Sequence, residues 1–117
     1  MSTPRVTSQH VAWASLPAEA PAEGIERRMV VGQQLMACRL HFDPHVVTAV
    51  HRHPHEQMTL VLEGRVRFTI EGRPHLAAPG DVLHFPPNVE HGATMLDEPV
   101  VLVDIFTPVR EDFLVNR

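Results

Sequence analysis

The sequence contains no lysine and no tyrosine, and its only serines are Ser2, Ser8 and Ser15 near the N-terminus. A Schiff-base lysine, a tyrosine acid and a serine nucleophile in the body of the chain are therefore excluded. The single cysteine, Cys38, rules out a disulfide within the chain, and its apolar surroundings predict a small buried side chain. Any chemistry must use His, Asp, Glu, Arg, Cys, Thr or a metal ion.

The sequence also lacks a run of basic residues longer than Arg27-Arg28, and its formal net charge is −4. We therefore expect no nucleic-acid partner. No apolar run approaches the ~18 residues of a membrane span, and Pro17 and Pro21 interrupt the N-terminal stretch before a signal sequence forms. These features predict a cytoplasmic protein without a membrane segment. A chain of 117 residues predicts one domain.

Short runs rich in β-branched and apolar residues alternate with turn sequences that contain Pro, Gly, Asp and Asn. The runs cover residues 28–42, 46–51, 57–64, 65–72, 74–78, 81–85, 91–96 and 100–106. No helical pattern of ~10–12 residues interrupts them, apart from a turn near 110–115. About eight short strands at regular spacing predict an all-β sandwich or barrel. We expect this domain to span residues 26–117, after an N-terminal arm over 1–25.

Nine histidines are an excess for this length, and three of them lie within HRHPHEQMTLVLEG at residues 51–64. Alternate residues of a strand share a face, so His51 and His53 can converge on one metal ion. Gln57 shares its face with Thr59 on the following strand, and His91 begins a later strand. His55 is left outside this set because Pro54 breaks the alternation. Glu56 is the alternative to Gln57 as an oxygen ligand.

Two segments, H-x-H-x3-Q followed by LVLEG and then PGDVLHFPPNVEH, resemble the paired motifs of the cupin superfamily. The resemblance covers about residues 35 to 107, and it implies a jelly-roll barrel, also called a double-stranded β-helix, that holds a metal. The implied ligands are His51, His53, Gln57 and His91. Because these ligands are neutral, the charge of a divalent ion remains uncompensated and favours an anionic substrate. The expected cofactor is a divalent transition metal: Zn, Ni, Fe, Mn or Cu.

The C-terminal sequence VDIFTPVREDFL makes the chain resemble the KdgF family of small single-domain cupins that act in pectin degradation. The resemblance implies opening of the ring of 4,5-unsaturated uronates to linear keto-uronates, with Asp104, Phe106 and Arg110 completing the site. In this interpretation Asp104 is the acid–base group, Arg110 binds the sugar carboxylate and Phe106 forms a wall. A structural alternative places Asp104 at a strand end, bound to a turn or paired with Arg110.

Two other functions remain open for a cupin of this size. One is a metal-dependent oxygenase acting on a small organic substrate, and the other is a non-enzymatic protein that binds a small molecule. The family resemblance also implies a homodimer, for which unpaired edge strands provide a physical reason.

Overall fold

The computed structural model describes residues 7–115, so residues 1–6 of the expected arm and 116–117 of the expected barrel domain lie outside it. A short 3-10 turn at Trp13–Ser15 precedes nine strands and one α-helical turn. The strands are β1 (Glu19–Ala22), β2 (Ile25–Val31), β3 (Met36–Phe42), β4 (Glu56–Glu63), β5 (Val66–Ile70), β6 (Arg73–Ala77), β7 (Val82–Phe85), β8 (His91–Met95) and β9 (Val100–Thr107). The helical turn α1 (Glu111–Leu114) follows them.

The strands form two antiparallel sheets around one interior. The larger sheet has the order β1-β2-β3-β9-β4-β7, and the smaller has the order β6-β5-β8. Alternation along β5 buries Val66 and Phe68 and exposes Arg67, as the sequence predicts. The all-β jelly-roll domain predicted from the sequence is confirmed. Cys38 is fully buried on β3, also as predicted.

Some predicted segments have a different form. The run over 28–42 contributes to two strands, which reverse direction at Gly32 through a hydrogen bond from its N–H to the Leu35 carbonyl. The expected strand over 46–51 is not regular; it pairs with β8 through two isolated bridges, Val47–Thr94 and His51–His91. The turn expected near 110–115 is α1.

Part of the N-terminal arm is attached to the larger sheet. Strand β1 pairs with β2, and Nη1 of Arg28 donates hydrogen bonds to the carbonyls of Trp13, Ala14 and Leu16. Arg28 therefore points away from the interior, and its neighbour Arg27 points into it. Within residues 7–115 no helix has the length and apolarity needed to cross a membrane.

Candidate metal centre

Three histidines meet where the smaller sheet approaches the loop before β4. His91 is the first residue of β8, and its backbone exchanges two hydrogen bonds of 2.9 Å with His51. His53 is fixed beside them, since its carbonyl accepts a hydrogen bond from the N–H of Asn88. The candidate ligand atoms of the three imidazoles all lie within 4.8 Å of one another. This group could hold a metal ion, as the spacing of the histidines suggests.

Each imidazole in this group is oriented by a backbone carbonyl two residues away. The Nδ1 atoms of His51, His53 and His91 lie 2.8, 3.0 and 2.9 Å from the carbonyl oxygens of residues 49, 55 and 89. A carbonyl only accepts, so each Nδ1 carries the proton and each Nε2 keeps its lone pair. Such outer contacts are typical of metal-binding histidines because they fix both the tautomer and the ring orientation.

Two observations show that a cation fits this group. The Nε2 atom of His91 is buried and has no hydrogen-bond partner among the described residues. In addition, Nε2 of His53 lies 3.0 Å from Oε1 of Gln57. With the proton of His53 on Nδ1, these two atoms are both acceptors, and a positive ion bound by both would remove their repulsion. The atoms that could act as donors are three imidazole nitrogens and one amide oxygen, a set that would suit a transition metal.

The orientation of the Gln57 amide is set by a chain of hydrogen bonds that ends at Asp104. Nε2 of Gln57 donates to Oγ1 of Thr59 over 2.8 Å, and this hydroxyl donates to Oδ1 of Asp104 over 2.6 Å. Thr59 is completely buried, and a hydroxyl has a single proton to donate. Because the Thr59 hydroxyl donates its proton to Asp104, it can only accept from Gln57, and it therefore binds the NH₂ group of the amide. The oxygen of the Gln57 amide then points toward His53.

Burial perturbs the titration of several groups here. It lowers the pKa of His91 to about 4 and also lowers the pKa of His53, so both imidazoles are neutral near pH 7. Burial likewise raises the pKa of Asp104 to about 6, although the Thr59 hydrogen bond and the charge of Arg110 oppose this rise. A neutral imidazole is the form that binds a metal, so the low pKa values suit this role.

Neither Glu56, the alternative to Gln57, nor His55, which was left outside the predicted set, belongs to the histidine group. Glu56 is exposed, and its Oε2 is 2.7 Å from Nε2 of His84 on the neighbouring strand β7. Gln57 is buried and faces inward, which favours it over Glu56 as the oxygen donor. His55 lies next to His53, with 5.5 Å between their ring centroids, but it is not part of the group of three.

The three residues expected to complete the site all line the same cavity, whose volume is about 180 Å³. Asp104 lies within β9 rather than at a strand end, and it binds Thr59. The ring of Phe106 packs edge-on against His53, with 5.7 Å between the centroids. The guanidinium of Arg110 makes two hydrogen bonds, of 2.9 and 2.6 Å, with Asp112. The alternative in which Arg110 pairs with Asp104 is therefore not what the structure shows.

Comparison with known proteins identifies the family. The family model described as a cupin domain matches residues 38–106, which run from within β3 to the second-last residue of β9 and include the three histidines. The chain belongs to the cupin family. A cupin with three converging histidines is consistent with a divalent metal site, and the fold predicted from the paired motifs is confirmed.

The chain is similar in sequence and structure to KdgF proteins and to one further cupin. It is 34% identical over 100 residues to the pectin degradation protein KdgF of Dickeya dadantii (strain 3937), covering 84% of this chain and 91% of that protein. The solved structure of KdgF from Halomonas sp. is 28% identical, with a TM-score of 0.87 and coverage of 92% and 99% of the two chains. An RmlC-like cupin from Shewanella frigidimarina NCIMB 400 is 31% identical, with a TM-score of 0.86 and coverage of 92% and 97%.

Three residues outside the predicted set contribute to the candidate site or to the cavity beside it. Thr59 links Gln57 to Asp104 through two hydrogen bonds. The sequence feature that could have identified Thr59 is its position two residues after Gln57, on the same inward face. Arg27 and Phe113 line the cavity but lie outside both motifs. Arg27 looked like part of a short basic pair, and only the alternation along β2 could have assigned it to the interior.

Proposed function

We propose that this cupin binds a divalent transition metal (Zn, Ni, Fe, Mn or Cu) through His51, His53, His91 and Gln57. The convergence of three Nε2 lone pairs with the amide oxygen supports this ligand set. When bound, such an ion supplies a Lewis acid that polarises substrate oxygens. The four donors carry no charge, so the ion keeps its full positive charge toward an incoming anion.

We further propose that the cupin isomerises 4,5-unsaturated uronates to linear keto-uronates. In such a sugar the ring oxygen joins C1 to C5, and C5 is double-bonded to C4. Ring opening removes the proton of the C1 hydroxyl, breaks the bond between C1 and the ring oxygen, and leaves an aldehyde at C1. The enol left at C5 becomes a ketone when C4 takes a proton. The reaction neither oxidises nor reduces the sugar, so it requires proton transfer and charge stabilisation only.

Asp104 is the group in the cavity that is best suited to move this proton. Its carboxylate lines the cavity beside the metal ligands, to which Thr59 and Gln57 connect it. Phe106 forms an apolar wall next to His53, and Arg110 contributes positive charge that favours an anionic sugar. The single observation that carries the proposal is the placement of the Asp104 carboxylate and of three proposed metal ligands, His51, Gln57 and His91, in the lining of one cavity of about 180 Å³. That volume is below the roughly 300–1,000 Å³ of sites for drug-sized ligands, and it favours a single sugar ring.

The test follows the ultraviolet absorbance of a 4,5-unsaturated galacturonate during incubation with the metal-loaded protein. We expect loss of the signal with wild type, none with His51→Ala, and none with Asp104→Asn although its metal content is unchanged. Asp97→Asn is the matched control, because it removes an exposed carboxylate. Turnover by Asp104→Asn would remove this residue from the mechanism. Oxygen consumption without ring opening would favour the oxygenase, and binding without turnover would favour the non-enzymatic function.

We also infer that two copies associate as a homodimer. The outer face of β4 and β7 exposes the large apolar side chains of Met58, Leu62 and Val82, with 48, 46 and 62% of their surface accessible. A second copy would cover this face and remove apolar surface from water. Light scattering tests the inference, and a mass equal to 13.1 kDa would contradict it. The cytoplasmic location expected from the sequence stays a prediction.

A further inference from the structure

A second arginine contributes to the wall of the cavity. Arg27 lies on β2, and its register neighbour Leu40 faces the same interior. Its side chain is only 13% exposed, whereas Arg28 beside it binds carbonyls of the N-terminal segment on the other face. A guanidinium stays charged at all relevant pH values. The alternation of β2 therefore places a permanent positive charge inside the barrel.

This charge has an incomplete set of partners. Nη2 of Arg27 lies 3.7 Å from Oε2 of Glu19, which is an ion pair but is too long for a hydrogen bond. The Nε atom is buried and has no hydrogen-bond partner in the part of the chain that the structure describes. A buried charged donor without an acceptor is costly, and such a group in a native structure calls for an explanation. An acceptor that arrives with a ligand provides one.

Arg110, to which the sequence assigned the sugar carboxylate, is in the opposite situation. Its Nε and Nη2 atoms form a two-point contact with Asp112, so this edge of the Arg110 guanidinium is already occupied by a carboxylate. Both arginines lie over the ring of Phe113, with their guanidinium carbons 4.2 Å (Arg27) and 4.1 Å (Arg110) from its centroid. The two cations thus share one end of the cavity, and of the two only Arg27 makes no hydrogen bond on either edge of its guanidinium within residues 7–115.

We propose that Arg27 is the residue that binds the carboxylate of the ligand in this cavity. Arg110, held by Asp112 on the same phenyl ring, adds charge to this end of the cavity and leaves the two-point contact to Arg27. The ligand class is a small organic carboxylate, and its identity as a uronate rests on the function proposed above. Arg27 then determines specificity, since a neutral sugar of the same shape leaves its donors unsatisfied.

The first test measures binding without turnover. Calorimetry compares galacturonate with galactose, which lacks the carboxylate, on metal-loaded wild type, Arg27→Gln and Arg67→Gln. Arg67 is a matched control, because it is exposed on β5 and does not line the cavity. We expect wild type and Arg67→Gln to prefer galacturonate, and Arg27→Gln to bind it about 10- to 100-fold more weakly with little change for galactose. Equal galacturonate affinity in Arg27→Gln and wild type would overturn the proposal, as would absence of galacturonate binding by wild type.

The second test separates this inference from the proposed reaction. If wild type opens unsaturated galacturonate, Arg27→Gln should raise KM about 10- to 100-fold, with a smaller effect on kcat. If it does not, but Arg27 still determines the preference for galacturonate, the inference stands and the ring-opening function fails. An unchanged KM alongside normal turnover overturns the inference alone.

A conservative variant keeps the test decisive if Arg27→Gln does not fold. Arg27→Lys retains the charge but replaces the planar fork with a point charge. We expect it to bind galacturonate at least about fivefold more weakly than wild type, because two parallel hydrogen bonds cannot form. Wild-type affinity in Arg27→Lys, with a normal thermal unfolding transition, would refute two-point recognition by Arg27.

Discussion

Replacing Thr59 with valine tests whether the hydroxyl organises the site. Valine has nearly the same shape, so the change removes the two hydrogen bonds of Oγ1 and leaves the surrounding packing in place. Thr59 is 0% exposed, and its hydroxyl joins the Gln57 amide at 2.8 Å to the Asp104 carboxylate at 2.6 Å. The perturbation therefore acts on two polar groups, an amide N–H and a carboxylate.

The expected loss of stability follows from those two groups. A hydrogen bond to a charged group contributes about 1.5–3 kcal/mol, and an unsatisfied buried donor costs about 1–3 kcal/mol. Asp104 is partly exposed to the cavity, where water replaces some of its lost contact. We therefore expect Thr59→Val to lower the free energy of unfolding by about 2–4 kcal/mol. For a domain of this size the Tm then falls by roughly 8–16 °C.

The same substitution should weaken metal binding. Without the hydroxyl, the Gln57 amide can rotate, and its oxygen no longer has a fixed direction toward His53. Loss of such an outer contact typically reduces metal affinity about 10- to 100-fold. A competitive chelator titration with Zn²⁺ measures this affinity, and urea unfolding measures stability. Thr69→Val on β5 is the control, because the Thr69 hydroxyl makes no hydrogen bond within residues 7–115, and we expect a change within about 0.5 kcal/mol. If Thr59→Val keeps the Tm within about 2 °C and the Zn²⁺ affinity within about threefold, then the hydroxyl does not organise the site.

Two further predictions concern a glycine with positive φ and the buried cysteine of the barrel. Gly64→Ala should destabilise the fold by about 3 kcal/mol or more in a urea titration, because Gly64 has φ of +75° and a Cβ there would overlap the carbonyl oxygen of Pro99. Gly72 is the control, since it has a similar φ of +79° but open space around it. Gly72→Ala should cost only about 1–2 kcal/mol. Equal losses in the two variants would show that the overlap is relieved by backbone movement. Cys38 should react with a thiol reagent at pH 8 only as fast as the protein unfolds, since it is fully buried and burial raises its pKa to about 12. Labelling that is rapid and independent of unfolding would contradict this.

The fold was largely predictable because its signals are local. Alternation in β5 and turn residues between the runs are set by nearest neighbours, and both appear in the structure. The segment over 46–51 was harder, because its irregular pairing depends on the position of β8 about 45 residues away. The convergence of His51, His53 and His91 could be predicted from two motifs, although the contact between those motifs is not a local property.

The parts of the site that could not be predicted depend on competition between partners. The sequence suggested a turn or Arg110 as the partner of Asp104, but Asp104 accepts a hydrogen bond from Thr59 instead. Arg110 binds Asp112, which lies only two residues away. Side-chain pairs of this kind are decided by rotamers and distances that a sequence pattern does not contain. The partial isolation of Arg27 has the same origin, since its distance from Glu19 depends on how β1 joins β2.

The direction of two adjacent side chains determines the charge of the candidate centre. Glu56 and Gln57 differ by one position on β4, and alternation sends the carboxylate outward to His84 and the amide inward to His53. Had the register placed Glu56 inward, a negative ligand would have offset the charge of a divalent ion and repelled an anionic substrate. The inward amide keeps the proposed ligand set neutral, and Thr59 connects the carboxylate of Asp104 to this amide. In the proposed function, this arrangement keeps the proton-transfer group Asp104 near the proposed metal ligands and leaves the positive charge of the cavity available to the substrate.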